Sequence, residues 1–215
     1  MFPAMAPTSK AMLCMVSVAS AAALHSIGNL QGTLAAGNST PIIGQIRYQG
    51  VSMPDGHNVA HDHKTGNKVY DGIFLQGLPD VLGSQFFADG HIQYEGEWRQ
   101  GMPDRRGRAY HFETGNTAYE GRFREGLPDG EGTGYFDNGH IQYVGDWKQG
   151  VLDGHGKGYF DNGQIQYQGK WRQGKPDGRG RAYHFETGNT AYEGRFREGL
   201  PDGEGTGDFD NGHIQ

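Results

Sequence analysis

The sequence predicts an all-β protein built as one elongated antiparallel β-meander of stacked hairpins, with one hairpin in each unit of about 24 residues. A pattern of aromatic–x–Gly–x–aromatic recurs along most of the chain, and a fixed period of this size is the signature of a repeat array. Within the pattern, the aromatic residues and glycine alternate with other residues, which is the period of a strand. Glycine-rich stretches and Asn-Gly pairs separate these strands, and such residues favour hairpin turns.

The units are defined by the tyrosine that opens each pattern. These tyrosines are Tyr70, Tyr94, Tyr119, Tyr143, Tyr167 and Tyr192. They divide the region into units 70–93, 94–118, 119–142, 143–166, 167–191 and 192–215. A longer period is superimposed, because residues 107–142 recur as 180–215 with the single difference of Tyr135 against Asp208. We therefore infer that a block of three units was duplicated.

One unit shows how each element is predicted. Tyr143, Gly145 and Trp147 share one face of a first strand, and Gly145 leaves space for a neighbouring aromatic ring to lie over the backbone. Residues 150–154 are predicted to turn the chain into a second strand, and residues 161–163 to turn it into the next unit. An aspartate recurs in every unit, and a residue placed so regularly is predicted to form a turn rather than to act as an acid or a calcium ligand. These aspartates are Asp80, Asp104, Asp129, Asp153, Asp177 and Asp202.

A known repeat has this spacing. The residues that carry the likeness in one unit are Tyr167, Gly169, Trp171, Gly174, Gly178 and Gly180. They fit the MORN (membrane occupation and recognition nexus) repeat, which the whole stretch 70–215 resembles, and residues 160–166 resemble the variant units of many bacterial proteins. The resemblance implies contact with protein partners and an association with membranes. It also implies a second hypothesis, since MORN arrays precede the catalytic domains of certain plant phosphatidylinositol-phosphate kinases and of a lysine methyltransferase family.

Residues 1–40 have a different composition and are predicted to be a signal-peptide-like leader and linker. Lys10 precedes an apolar run from Ala11 to Leu24, and the small residues 21–23 suit cleavage, which is the layout of a secretory signal. The alternative is a disordered alanine-rich leader or a mis-assigned start. The chain is expected in the cell envelope or outside the cell if the leader is a signal, and otherwise in the cytoplasm or at a membrane surface. Cys14, the single cysteine, lies in this run, so no internal disulfide forms.

Residues 41–69 are predicted to form a degenerate repeat that caps the array. Residues 54–56 repeat the Pro-Asp-Gly of later units, and residues 65–67 repeat their Thr-Gly-Asn. Terminal repeats are often atypical because they cover the end of a stack. Gln215, in contrast, falls at a unit boundary, and the open strand edge there is expected to allow end-to-end self-association.

Composition and motifs exclude several functions. The formal net charge of −6 argues against nucleic-acid binding, which requires a basic surface. No nucleotide-binding loop or nucleophile motif is present, so neither an enzyme nor a cofactor is predicted. His57, His61 and His63 form a cluster with metal-like spacing, but it lies in the degenerate repeat, where loop histidines are the alternative. No metal site is predicted.

Two sets of side chains are candidates for partner binding. The first is an aromatic face, which forms either the core or, where part of it stays exposed, a groove for a protein. It consists of Tyr94, Trp98, Tyr119, Phe123, Tyr143, Trp147, Tyr167, Trp171, Tyr192 and Phe196. The second, here called the cation column, follows the central aromatic of each unit and consists of Arg99, Arg124, Lys148, Arg172 and Arg197. The column either is a solvated row paired with Glu95, Glu120 and Glu193, or binds an acidic partner or anionic phospholipid headgroups.

The sequence therefore predicts a non-enzymatic MORN-type module for protein–protein interaction or scaffolding, with weak contact to anionic phospholipids. The alternatives are a regulatory or targeting region of a larger enzyme, of the kinase or methyltransferase type above, and a secreted or envelope structural repeat protein.

Overall fold

A computed structural model describes residues 53–62, 64–209 and 213–214. The predicted leader, the linker and Cys14 lie outside these residues. The described residues form strands and turns without a helix, and the strands make one sheet whose spatial order follows the sequence. The strands are β1 Gly56–His61, β2 Lys68–Leu75, β3 Leu78–Phe86, β4 Ile92–Arg99, β5 Met102–Tyr110, β6 Thr117–Arg124, β7 Leu127–Tyr135, β8 Ile141–Lys148, β9 Val151–Tyr159, β10 Ile165–Arg172, β11 Lys175–Tyr183, β12 Thr190–Arg197, β13 Leu200–Phe209 and β14 His213–Ile214. The predicted all-β meander of hairpins is confirmed.

Each unit is a hairpin closed by a turn of two residues. In the fourth unit, Lys148 pairs with Val151 across the turn Gln149-Gly150, whose φ angles are 49° and 80°. Two positive φ angles define a type I′ turn, whose twist matches that of the flanking strands. The turn is therefore shorter than the predicted stretch 150–154, and most of that stretch belongs to β9.

The second strand of each hairpin carries a bulge where a turn was predicted. Gly145 pairs with Gly156 and Trp147 with Leu152, so one residue of β8 lies opposite three residues of β9. The predicted turn-forming role of the repeated aspartate is wrong, because Asp153 lies in this bulge. Its carboxylate accepts a hydrogen bond from the N–H of Gln173, in the turn of the next hairpin, at 3.3 Å. A bulge bends its strand and increases the local twist.

The connections between units explain why the repeat has two lengths. Five residues join β9 to β10, where the N–H of Gly163 donates to the carbonyl of Phe160 at 3.0 Å, so the predicted Asn-Gly turn is confirmed. Six residues join β5 to β6, where the N–H of His111 donates to the carbonyl of Asn116 at 2.8 Å. The additional residue gives the 25-residue units.

The tyrosine that opens each unit lies flat over a pair of glycines. A Cβ atom added to Gly132 would lie 2.1 Å from the Tyr119 hydroxyl, and one added to Gly121, on the paired strand, would lie 2.5 Å from it. Only glycine leaves room for the ring, as predicted. The same glycines pair with one another from β2 to β13 and form what we call the glycine row. Its members are Gly72, Gly83, Gly96, Gly107, Gly121, Gly132, Gly145, Gly156, Gly169, Gly180, Gly194 and Gly205.

The aromatic rings form a continuous chain of edge-to-face contacts along the sheet. Tyr119 contacts Phe123 of its own strand at 5.0 Å between ring centroids and Trp147 of the next unit at 5.1 Å. Contacts of this kind stabilise beyond the area that the rings bury. They run from Phe74 to Phe196, so each unit shares its core with the next.

Candidate binding groove

The predicted aromatic face is the core of the protein and not an exposed contact strip. Trp98, Trp147 and Trp171 are 4%, 6% and 3% exposed, and of the ten predicted residues only Tyr192 is partly buried rather than buried. Of the two predicted alternatives for these residues, the structure has the core, because the rings cover one another edge to face and lie against the bare backbone of the glycine row. A partner therefore needs another surface.

That surface is a groove on the opposite face of the sheet, and the glycine row forms its floor. Two hollows lie in line along it, one from β3 to β9 and one from β10 to β13, and the first has a volume of about 1290 Å³. Pockets for small molecules usually measure about 300–1,000 Å³ and are mostly apolar. This trough is longer and is lined by charged residues, which suits an extended segment of a macromolecule better.

The walls of the groove are the residues on either side of each glycine. We call the row nearer the connections between units the loop-side wall. It consists of Ser84, Glu95, Arg108, Glu120, Thr133, Val144, Lys157, Gln168, Arg181, Glu193 and Thr206. We call the row nearer the hairpin turns the turn-side wall. It consists of Leu82, Glu97, Arg106, Arg122, Glu131, Asp146, His155, Lys170, Arg179, Arg195 and Glu204.

The glutamates and arginines of the loop-side wall pair with one another across the strands. Arg108 lies between Glu95, at 3.9 Å, and Glu120, at 3.0 Å, and Tyr110 donates a hydrogen bond to Glu95. Hydrogen bonds with Tyr110 and Glu120 raise the pKa of the Arg108 guanidinium. In the duplicated block, Arg181 pairs with Glu193 at 2.6 Å. These carboxylates were the predicted partners of the cation column, and that prediction is wrong because cross-strand arginines of this wall hold them instead.

The turn-side wall places like charges opposite one another. Arg106 pairs with Arg122, and Glu131 with Asp146. Arg179 and Arg195 repeat the arginine pair in the duplicated block. Like charges directly opposite on neighbouring strands are destabilising. Within the described part of the chain, none of these four exposed arginines forms an ion pair, so their charge is available to a partner.

The cation column lies beside the groove, at the last residue of β4, β6, β8, β10 and β12, and Arg99 and Arg124 line a smaller hollow together with Arg106 and Arg122. Its members are exposed, and three of them pair with the bulge aspartate of their own hairpin. The pairs are Arg124–Asp129 at 3.4 Å, Arg172–Asp177 at 3.6 Å and Arg197–Asp202 at 3.0 Å. These ion pairs reduce the positive charge that the column presents, and binding of lipid or an acidic partner by the column stays a prediction.

The histidine cluster is only partly described. His57 lies 3.2 Å from Asp71, His61 ends β1, and His63 falls outside the described residues. In the part of the chain that the structure covers, no group of His, Cys, Asp or Glu side chains has the arrangement of a metal site. The same part contains no helix of the length and apolarity that a membrane crossing requires.

The charged residues that flank each glycine in the sequence indicate a polar face opposite the aromatic one, which is where the groove lies. The residues before and after the glycine of each pattern alternate with the aromatic residues and must therefore point to the opposite face. Their charges, such as Glu120 and Arg122, mark that face as polar. The glycine was interpreted only as space for a ring on the aromatic side, although a row of glycines leaves both faces of the sheet without side chains.

Comparison with known proteins supports the repeat assignment. A family model described as the MORN repeat matches six consecutive segments, at residues 70–92, 94–117, 119–141, 143–165, 167–190 and 192–214. A comparison with curated proteins gave no match.

Proposed function

Because the chain belongs to the MORN repeat family, with six consecutive repeats between residues 70 and 214, we propose that it is a non-enzymatic module that binds or scaffolds a protein partner through the groove. The groove over the glycine row carries this proposal. Its turn-side wall holds exposed arginines that form no ion pair with any residue the structure describes, whereas the aromatic face is closed by its own packing. Charged walls around an accessible floor favour specific recognition of a complementary protein surface.

A capture experiment with matched charge reversals tests this function. The full chain is immobilised and exposed to an extract of its source cells. A groove variant carries Arg106→Glu, Arg122→Glu, Arg179→Glu and Arg195→Glu, and a control variant carries Lys148→Glu, Arg172→Glu, Lys175→Glu and Arg197→Glu. Both variants change the net charge equally, so non-specific electrostatic capture changes equally as well.

The proposal expects a protein that is retained by the wild type and the control variant and lost from the groove variant. Circular dichroism of both variants confirms that the sheet is intact. Loss of the same protein from both variants, or from neither, would show that the groove is not the binding surface.

The exposed cation column favours a second, weaker function, which is contact with anionic membranes. A cation near such a surface contributes about 1 kcal/mol, but the ion pairs with Asp129, Asp177 and Asp202 oppose this attraction. We therefore expect weak binding to phosphatidylserine vesicles that disappears at high salt. Co-sedimentation of the wild type and of a variant with all five column residues changed to Gln measures it. Binding that persists at high salt, or that the Gln variant retains, would contradict the electrostatic account.

A further inference from the structure

The charges of the turn-side wall change sign in blocks along the groove. Each block is a cross-strand pair: Arg106 with Arg122, Glu131 with Asp146, His155 with Lys170, and Arg179 with Arg195. The wall also carries Glu97 before these pairs and Glu204 after them. From β4 to β13 the order is therefore acidic, basic, acidic, basic, basic, acidic.

The pairing has a cost for the fold, because opposite charges placed across each strand pair would be more stable. The loop-side wall has that arrangement, with Glu95, Arg108 and Glu120 on successive strands. The two walls line the same floor. Among the described residues, the two arginine pairs of the turn-side wall form no ion pair, whereas Glu97 pairs with the exposed Arg105 at 3.6 Å.

The blocks also have a regular spacing. Successive pairs are two strands apart, which is roughly 10 Å at about 4.8 Å per strand. An extended chain covers that distance in about three residues, at about 3.3 Å per residue. The two arginine pairs are six strands apart along the sheet, or roughly 29 Å.

We propose that the groove binds an extended segment of a partner protein whose charges alternate in the complementary order: basic, acidic, basic, acidic, acidic, basic, with one charge about every third residue. This proposal rests on the proposed function and adds the chemistry of the partner. The segment lies across the strands, with its carboxylates opposite the two arginine pairs and a basic residue opposite Glu131 and Asp146. Side-chain contacts form the complex, since the ladder already uses the backbone groups of the floor.

Two synthetic peptides test the charge order without a change of composition. The complementary peptide places Lys, Glu, Lys, Glu, Glu and Lys in that order, separated by Ser-Gly spacers. The inverse peptide exchanges every Lys with every Glu, so its length, composition and net charge are the same. Any difference in affinity for the full chain therefore reports the order of charges and not their sum.

At about 0.1 M salt the screening length is about 10 Å, which equals the spacing of the blocks, so each peptide charge senses mainly the block opposite it. We expect the complementary peptide to bind about tenfold more tightly than the inverse peptide in fluorescence anisotropy. At about 1 M salt, where the screening length is about 3 Å, the difference should disappear. Equal affinities at the lower salt, tighter binding of the inverse peptide, or binding of neither peptide would overturn the proposal.

Charge-reversal variants locate the interaction. The double variant Arg106→Glu with Arg122→Glu should bind the complementary peptide more weakly than the wild type does. A second peptide, with Lys in place of the Glu that faces this pair, should restore the affinity of the variant. The matched control, Arg172→Glu with Arg197→Glu, has the same net charge and lies away from the hollow that Arg106 and Arg122 share with Arg99 and Arg124, so it should bind like the wild type. Restoration distinguishes direct contact from a structural defect, which no change in the peptide would repair.

The peptide experiment tests the order of charges and the capture experiment tests the binding function, so the two can fail separately. If the peptides bind equally while the groove variant still loses its captured protein, charge order is rejected and the binding function stands. If capture does not depend on the groove, the proposed function fails.

Discussion

At the scale of single residues, the tyrosine of each unit packs its ring in the core while its hydroxyl forms a hydrogen bond. The Tyr94 hydroxyl donates a hydrogen bond to the carbonyl of Glu97 at 2.9 Å while its ring covers Gly96 and Gly107. A buried phenol must keep its proton, because a phenolate would lose its hydration in the apolar core. Burial accordingly raises the pKa of the tyrosines that open the units, namely Tyr70, Tyr94, Tyr119, Tyr143 and Tyr167.

These shifts predict loss of stability in alkali. The unfolded pKa of tyrosine is 10.0, and burial raises the pKa of Tyr167 to about 12. Because the folded value is the higher one, this stabilisation is fully present below pH 10 and is lost as the pH rises from 10 towards 12. Each pH unit in that window should lower the free energy of unfolding by about 1.4 kcal/mol for each such tyrosine. Urea denaturation at a series of pH values measures the slope.

Tyrosinate absorbance provides the control for this prediction. The absorbance of the buried tyrosines should rise together with the loss of the sheet, as followed by circular dichroism. Independent titration of all five near pH 10 in an intact sheet would show that the rings are hydrated in the native state.

A second residue-scale prediction concerns Val81, which has a φ of 65°. A β-branched residue in the left-handed region is strained, and the equivalent bulge position holds glycine at Gly130, Gly154 and Gly178. Relief of strain of this kind should raise the free energy of unfolding by about 1–3 kcal/mol. Glycine lowers it by about 0.4–1 kcal/mol, because the unfolded chain gains conformational entropy. Val81→Gly should therefore raise the free energy of unfolding by about 1 kcal/mol in chemical denaturation.

Arg105 gives this prediction its matched comparison, since it occupies the same bulge position with a φ of 67°. Arg105→Gly should stabilise less than Val81→Gly, because it also removes an exposed ion pair to Glu97 at 3.6 Å. A clear loss of stability in Val81→Gly would mean that the left-handed conformation carries little strain there.

At the scale of elements, the hairpin turns hold residues with long side chains in the left-handed conformation. All six turns from Gln76 to Glu198 have a positive φ at their first position, where the chain places Gln or Glu instead of the favoured Asn. The backbone N–H of this residue donates to the bulge aspartate of the preceding unit in several hairpins, as Gln100 does to Asp80 at 3.0 Å. The turn therefore both closes its own hairpin and attaches it to its neighbour.

This geometry predicts that Gln149→Asn stabilises the fourth hairpin. Asn tolerates the left-handed conformation better than Gln, and the substitution leaves the backbone N–H of residue 149 free to bond Asp129. We expect a gain of about 0.5–1 kcal/mol in the free energy of unfolding. Gln149→Val is the contrasting variant and should destabilise, because a β-branched residue resists a positive φ. If both variants are neutral in thermal unfolding, the turn does not limit stability.

At the scale of the whole molecule, stability is a property of the stack and not of single units. Trp147 contacts the tyrosine of its own unit and that of the preceding one, Tyr143 and Tyr119, at 5.4 and 5.1 Å. The N–H of Gly150 donates to the carbonyl of Pro128, also in the preceding unit, at 2.9 Å. In such an array each repeat contacts only its neighbours, and its stability depends on them.

Trp147→Ala tests this coupling. Removal of a buried aromatic side chain should lower the free energy of unfolding by about 3–5 kcal/mol. Hydrogen exchange should accelerate in units 119–142 and 143–166, which share the ring, and much less in unit 70–93. Uniform acceleration across the sheet would indicate one fully cooperative core, and acceleration confined to unit 143–166 would deny coupling between neighbours.

What the sequence determined by itself was the repeated strand. The alternation around Gly145 and the fixed spacing of Tyr143 and its equivalents depend only on neighbouring residues and on the period, so the hairpins, the all-β class and the space above glycine followed directly. The exposed position of the cation column also followed, because its residues alternate with the core positions of the first strand.

What only the tertiary structure decided depends on residues that are distant in the sequence. Asp153 lies in a strand bulge and bonds Gln173 of the next hairpin, and Glu120 takes Arg108 as its partner because β5 pairs with β6. The burial of the aromatic rings is set by contacts between consecutive units. The groove likewise exists only when glycines from neighbouring strands meet in register, so its charge order became visible only after the strands were paired. The register between strands is not contained in any single unit. It places the repeated residues of neighbouring strands side by side and so forms the surface of the groove.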